Sequence, residues 1–275
     1  MNGKLYLVAT PIGNLEDISS RALRVLAEAD IIAAEDTRVS GRLLAHFGVK
    51  KPLLSYYQHN ALSRREELLD KLREGLNIAL ISDAGTPCIS DPGADIAAAA
   101  IAAGIEVIAI PGASALLTAL SISGLDSSAF VFEGFLPRAK AARRAKLAAL
   151  CSEQRTLIFY EAPHRLRATL ADIAAACGHA RRIAVCRELT KLHEQVLRLS
   201  VGEAIDYFSA TEPRGEFVLV LAGAEPAAAD VDMRALEREL VGLIEQGMGR
   251  KQAARLLAER YGISIKSVYG LGLKE

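Results

Sequence analysis

The stretch Ser82 to Gly93, SDAGTPCISDPG, is the segment of this sequence best composed to hold a ligand. It follows directly on an apolar run from Ile78 and carries more glycine and proline than a plain connection requires. In an open α/β sheet, ligands sit outside the carboxyl ends of the strands, so this loop is a binding loop by position. Three further loops leave apolar runs on the same side: Thr10 to Asn14, Glu35 to Arg38 and Pro111 to Ala115. Where such loops contain glycine, the backbone can approach a ligand closely. None of them is a GxxxxGK[ST] phosphate cradle or a GxGxxG opening a helix, which argues against a nucleoside triphosphate or NAD enzyme. His59, His164 and His193 show no metal-ligand spacing and there is no Cys/His cluster, so no metal is expected. Ser114 lacks the G-x-S-x-G elbow of a hydrolase nucleophile.

A second chemical feature is a run of one sign. Arg138, Lys140, Arg143, Arg144 and Lys146 have no acidic residue among them. Such a run is either a solvated helix face or a surface that contacts phosphates. Over the whole chain, 33 Lys and Arg balance 33 Asp and Glu, so no global field draws the protein onto a polyanion and any nucleic-acid contact must be local. Cys88, Cys151, Cys177 and Cys186 lie far apart and read as reduced core thiols of a cytosolic protein. The N-terminal apolar run has the shape of a first strand rather than an export signal, and no apolar stretch approaches the length of a membrane span. A soluble protein of the cytoplasm, without a membrane or DNA partner, is expected.

The elements that must position these loops follow from periodicity. Short β-branched runs alternate with amphipathic stretches, the pattern of an α/β protein with a largely parallel sheet. In the first half, strands are expected at Leu5 to Thr10, Ile31 to Ala34, Leu53 to Ser55, Ile78 to Ser82 and Val107 to Ile110. Ile18, Ala22, Val25, Leu26 and Ala29 form a helical stripe, and Ser63 with Glu66 reads as a capping box for a third helix. SGLDSS, at Ser123 to Ser128, has turn chemistry and marks a boundary. The second half offers strands at Phe130 to Phe135, Thr156 to Tyr160, Ile183 to Cys186, Val196 to Leu199 and Phe217 to Leu221, with the last two expected to pair antiparallel across a short helix. The domains expected are 1–124, 125–223, a linker 224–231 and a tail 232–275 spaced like a helix-turn-helix, with Gly262 at its turn.

Read in order, LVATPIGNLEDIS, AAEDTR, ALISDAGTPCISDPG, IPGASA, FEGFLPR, FYEAPHRL, CRELTKLHE and RGEFVLVL resemble the bacterial 16S ribosomal RNA (cytidine 2′-O)-methyltransferases of the tetrapyrrole-methylase-like class. The resemblance covers about residues 4 to 223 and continues into the tail. It implies two αβα domains with S-adenosylmethionine in the cleft between them, a small C-terminal helical domain, a homodimer, and 16S ribosomal RNA or the small ribosomal subunit as partner. Carried over by position, Pro11, Asp83, Gly85, Thr86, Ser114, Ala115, Tyr160 and Glu161 would line the cofactor site. The sequence departs from the family where Arg138 is followed by Ala139-Lys140 instead of directly by lysine. A ribose hydroxyl is a poor nucleophile, so a base or hydrogen-bond acceptor beside it should help. The candidates are Glu35, Asp36, Glu133, Glu188, Lys191 and His193. Methylation of a tetrapyrrole carbon and a non-catalytic ribosome-binding role are the rival expectations; the basic run and the added tail favour RNA over a tetrapyrrole.

Overall fold

The structure, a computed structural model, describes residues 2–57, 61–91, 93–225, 232–261 and 263–272. Strands β1 (Lys4–Val8), β2 (Ile31–Ala34), β3 (Leu53–Ser55), β4 (Ile78–Ile81) and β5 (Glu106–Ile110) form one sheet in the order β3-β2-β4-β1-β5. Every pairing in it is parallel. The central strand β4, IALI, is buried at all its positions, as a parallel strand covered on both faces must be. Helices α1 (Ser20–Glu28) and α2 (Thr37–His46) pack on one face through Val25, Leu26 and Leu44. Helices α3 (Ala61–Arg73) and α4 (Gly93–Ala102) pack on the other through Leu68, Leu72, Ile96 and Ala100. Adjacent strands β1 and β4 therefore send the chain to opposite faces, which opens a crevice at their carboxyl ends.

Local chemistry sets the helix starts. Ser19 caps α1 by accepting from the Ala22 amide, and Asp36 caps α2 by accepting from the Arg38 amide. Helix α3 begins at Ala61, so Ser63, expected with Glu66 to form a capping box at its start, stands inside the helix. At α4 the Asp91 carboxylate accepts from the Gly93 amide at 2.7 Å; Pro92 lies outside the described residues.

The second sheet has the order β6-β7-β10-β8-β9, from β6 (Phe130–Phe135), β7 (Thr156–Glu161), β8 (Arg182–Arg187), β9 (Gln195–Ser200) and β10 (Phe217–Leu221). Only β6 and β7 run parallel. The expected pairing of the last two strands is not found: β10 inserts between β7 and β8, and β9 takes the edge. Burial explains the exchange. All five residues of β10, FVLVL, are buried, so the strand needs cover on both faces, whereas β9 leaves every position at least partly exposed. Phe217, Leu219 and Leu221 face a core built with α6 (Lys140–Leu150), α7 (Pro163–Cys177) and α8 (Val201–Ala210). Val218 and Val220 face a second core made with α5 (Ala115–Ser123) and Ile12. Elements of the first half thus cover one face of the second sheet. Of the cysteines only Cys186 is buried; Cys88, Cys151 and Cys177 are half-buried, and all four are free.

The basic helix α6 departs from expectation. Arg143 is only 5% exposed and shares the inward stripe of α6 with Leu147. Its guanidinium meets the buried Asp172 of α7 at 2.6 Å, and Arg144 meets the other carboxylate oxygen at 2.7 Å. Burial pushes the Asp172 carboxyl up, but the two guanidiniums outweigh it and hold it below its ordinary range. Arg143 is therefore a packing residue and not a phosphate contact, and Arg144 is engaged in the same cluster. Replacing Arg143 with alanine leaves the buried Asp172 carboxylate to Arg144 alone and should destabilise the protein by about 1.5–3 kcal/mol. Chemical denaturation checks this, and an unchanged midpoint would contradict it. Lys146 pairs with Glu133 at 2.6 Å, which leaves Arg138 and Lys140 as the exposed members of the run for which no carboxylate partner is found among the described residues.

Residues Met1–Gly223 form one compact unit and Ala224–Glu275 another. The second unit holds α9 (Met233–Glu245), α10 (Arg250–Tyr261) and α11 (Ile265–Tyr269) around Leu236, Leu240, Leu257 and Val268. Ser264 caps α11 by accepting from the Ser267 amide, while Gly262, expected at the turn, lies outside the described residues.

Candidate functional site

Four loops converge at the carboxyl edge of the first sheet, and their own hydrogen bonds hold them together. Thr10 after β1 exchanges backbone bonds with Gly85 after β4, at 2.9 and 3.1 Å. Gly85 sits at φ +81°, a conformation that favours glycine, and an added Cβ would meet the Ile12 side chain at 3.2 Å. The Thr86 hydroxyl donates to the Ala113 carbonyl after β5 at 3.1 Å. The Asp36 amide after β2 donates to the Asp83 carboxylate at 2.9 Å. A fifth segment, residues 188–194 after β8, closes against Gly13, where any Cβ would lie 2.4 Å from the Lys191 side chain. Glu188 and Thr190 in that segment adopt left-handed backbone angles, so it is held in a conformation that non-glycine residues seldom take.

Between these loops and the second sheet lies a cavity of 430 Å³. Its wall includes Glu35, Asp83, Asp91 and Glu216, with Phe135 and Tyr160 on the side of the second sheet. No lysine or arginine lines it among the described residues. Burial pushes the Glu35 carboxyl above the usual carboxylate range, and the Asp83 and Asp91 carboxylates add to the shift. Two helices begin at this wall: α5 after Ser114 and α7 after Ala162, neither with a side-chain cap. Their first-turn amides favour negative charge. The cavity thus offers carboxylates to a cationic group and helix amides to an anionic one.

A second cavity, of 500 Å³, adjoins the first; Ile12, Asp83, Ala84 and Glu216 belong to both walls. It is closed by Pro11 and Gly13, by one face of α2, and by Lys191. Lys191 bonds Glu188 and Glu216 at 3.0 Å each. Burial works against its charge, but the two carboxylates hold its ammonium above the ordinary lysine range.

Residues 4–205 match the model of the tetrapyrrole (corrin/porphyrin) methylases. The chain is 51% identical, over 99% of its length and 98% of the relative's, to a Synechocystis protein named ribosomal RNA small subunit methyltransferase I. It is 46% identical to the protein of that name from Escherichia coli O157:H7, over 99% of this chain and 96% of the relative. The chain belongs to the tetrapyrrole methylase family, in its ribosomal RNA small subunit methyltransferase I group. Solved tetrapyrrole methylases share the fold. A uroporphyrin-III C-methyltransferase from Thermus thermophilus, complexed with S-adenosylhomocysteine, superposes with a TM-score of 0.60 at 18% identity, over 80% of this chain and 97% of that one. A diphthine synthase gives 0.61 at 15% identity, over 80% and 90%.

Within this family member, Asp83, Gly85, Thr86, Ser114, Ala115, Tyr160 and Glu161 all line the first cavity, while Pro11 lines the second. Glu161 differs from its neighbours in role. Its carboxylate is buried and accepts from Thr169 and from the Ala162 amide, beside Arg165, so only its backbone is placed to serve a ligand. The proton-acceptor candidates separate clearly. Glu35 faces the first cavity; Asp36 is engaged by Arg38, Glu133 by Lys146, and Glu188 by Lys191 and the Glu216 amide. Lys191 is a charged wall of the second cavity, and exposed His193 lines neither. The sequence reasoning missed Glu216, whose neighbour Phe217 opens a buried strand, and missed Arg42 and His46, which share with Val39 and Leu43 the helical stripe facing the second cavity.

Proposed function

We propose that this chain transfers a methyl group from S-adenosylmethionine to the ribose 2′-oxygen of a cytidine in 16S ribosomal RNA. Full-length likeness to relatives named for ribosomal RNA methylation carries the assignment, since the solved tetrapyrrole methylases leave a part of this chain uncovered. The first cavity fits the donor: S-adenosylmethionine bears a sulfonium and an ammonium, suited to Asp83 and Asp91, and a carboxylate, suited to an uncapped helix start. Bound there, it would supply a methyl group already made electrophilic by positive sulfur. The chain's own task is then to align the acceptor oxygen and keep water out. As the oxygen–carbon bond forms and the carbon–sulfur bond breaks, the hydroxyl proton needs an acceptor. Glu35 has the raised proton affinity for that role. The motif resemblance also supports a homodimer acting in the cytoplasm on the small subunit.

Equilibrium dialysis against labelled S-adenosylmethionine, followed by incubation with small ribosomal subunits, naked RNA and a tetrapyrrole, tests the assignment. Label in ribosomal RNA is expected. Label in the tetrapyrrole, or RNA binding without cofactor binding, would replace it with one of the two rivals. The tail has a core of its own, so removing residues 232–275 should spare cofactor affinity and reduce turnover on subunits. Equal turnover by truncated and full-length protein would show the tail to be dispensable.

A further inference from the structure

The two adjoining cavities differ in their basic residues. The first is walled by carboxylates with no lysine or arginine among the described residues, whereas the second shares Asp83 and Glu216 with it and adds Arg42, His46 and Lys191. Lys191 is neutralised by Glu188 and Glu216, and Arg38, one turn before Arg42, is held by Asp36. Arg42 and His46 have no carboxylate partner among the described residues and are exposed. They stand one turn apart on α2, on the same stripe as Val39 and Leu43. This stripe lies beside the one that packs on the sheet, Ser40 and Leu44, and joins two half-buried apolar side chains with two exposed basic ones; the hydroxyl of the buried Ser40, also in this wall, lacks a hydrogen-bond partner among the described residues.

From this, and resting on the methyl-transfer function proposed above, we infer that the second cavity is the acceptor-nucleotide subsite, with Arg42 as the side chain that grips a phosphodiester beside the reacting ribose and His46 as its neighbour. Because Ile12, Asp83, Ala84 and Glu216 wall both cavities, a ribose held in the second lies against whatever occupies the first. A volume of 500 Å³ is within the range that holds a ligand of nucleotide size. Glu35 and Asp91 line only the first of the two cavities and repel a phosphate, whereas Arg42 lines only the second, so the difference favours each substrate in its own place.

The test uses full-length protein, labelled S-adenosylmethionine and small ribosomal subunits or the naked RNA, whichever the wild type methylates. Arg42→Glu and Arg42→Gln should raise the KM for RNA roughly tenfold or more, as expected for loss of a charged hydrogen bond. The turnover number at saturation should change far less. The slope of log affinity against log salt should fall by about 0.7–0.9 for the lost phosphate. Arg42→Lys should recover part of the KM, since it restores the charge without the fork. Cofactor affinity by calorimetry and the melting temperature should stay at wild-type values; if the glutamate variant folds poorly, the glutamine variant carries the test. Wild-type KM and salt slope in a folded variant would overturn the assignment, as would a loss of cofactor affinity equal to the loss of RNA affinity. A wild-type protein that binds cofactor yet methylates no RNA would overturn the function itself, a result distinct from either.

Discussion

Asp83→Ala is expected to weaken S-adenosylmethionine binding by roughly 10–150-fold, the equivalent of about 1.5–3 kcal/mol for a lost charged hydrogen bond. Asp83 stands at the carboxyl end of β4 and belongs to the walls of both cavities. One of its oxygens accepts from the Asp36 amide, so the residue also ties the loop after β4 to the start of α2. Two effects are therefore mixed in the alanine variant, and Asp83→Asn separates them. Asparagine keeps an oxygen for the Asp36 amide but removes the charge that faces a cationic donor. It should melt close to the wild type while binding the cofactor nearly as poorly as alanine does. Wild-type affinity in the asparagine variant, measured by calorimetry, would mean that Asp83 only holds the loops.

The second large effect belongs to Glu35. Removing its proton-accepting group by Glu35→Gln should lower turnover by about 10²–10⁴-fold, the usual contribution of a positioned base, with little change in cofactor affinity. Because burial and the Asp83 and Asp91 carboxylates raise its pKa, wild-type turnover should fall at a higher pH on the acid side than an ordinary carboxylate would give. The same shift has a sign for stability. A carboxyl whose folded pKa lies above its unfolded value favours the native state when protonated, so its stabilising contribution is present below the unfolded pKa and is lost as pH rises through the folded one. Near neutral pH the wild type carries a penalty that glutamine lacks. Glu35→Gln should therefore melt at a higher temperature near neutrality, with the difference closing in mild acid. Full turnover in this variant would leave the proton to solvent or to another group, and a lower melting temperature near neutrality would show that Glu35 is held by contacts its burial does not reveal.

Much of the first sheet was legible because each strand and its covering helix carry a local signal. The run Ile78 to Ile81 is apolar without alternation, as a doubly covered strand must be, and the loop after it changes composition abruptly. Periodicity alone could not place β10. FVLVL announces burial but names no neighbours, and its central position depends on β7 and β8, which lie far from it in the chain. The burial of Arg143 within the basic run was hidden for a related reason. Charge counted along the sequence ignored that Arg143 lies four residues from Leu147 on the inward stripe of α6. A matching signal stood in α7, where Asp172 falls among Leu166, Leu170 and Ile173. A lone charge on the core stripe of each of two helices is a pattern from which a buried ion pair can be expected. The loops that wall the first cavity were visible as glycine and proline punctuation, but the second cavity was not. Its wall is assembled from α2, the loop after β1 and the segment after β8, and only the fold brings Arg42 and Lys191 to one space.

The most direct measurement is the chemical identity of the methylated product. Small ribosomal subunits, or their naked RNA, are incubated with the protein and methyl-labelled S-adenosylmethionine, and the RNA is digested to nucleosides for separation and mass spectrometry. The label is expected on the ribose of cytidine, in 2′-O-methylcytidine, and Glu35→Gln should reduce it without abolishing cofactor binding. Label on a base, or no label in RNA from a protein that binds the cofactor, would contradict ribose methylation by this chain.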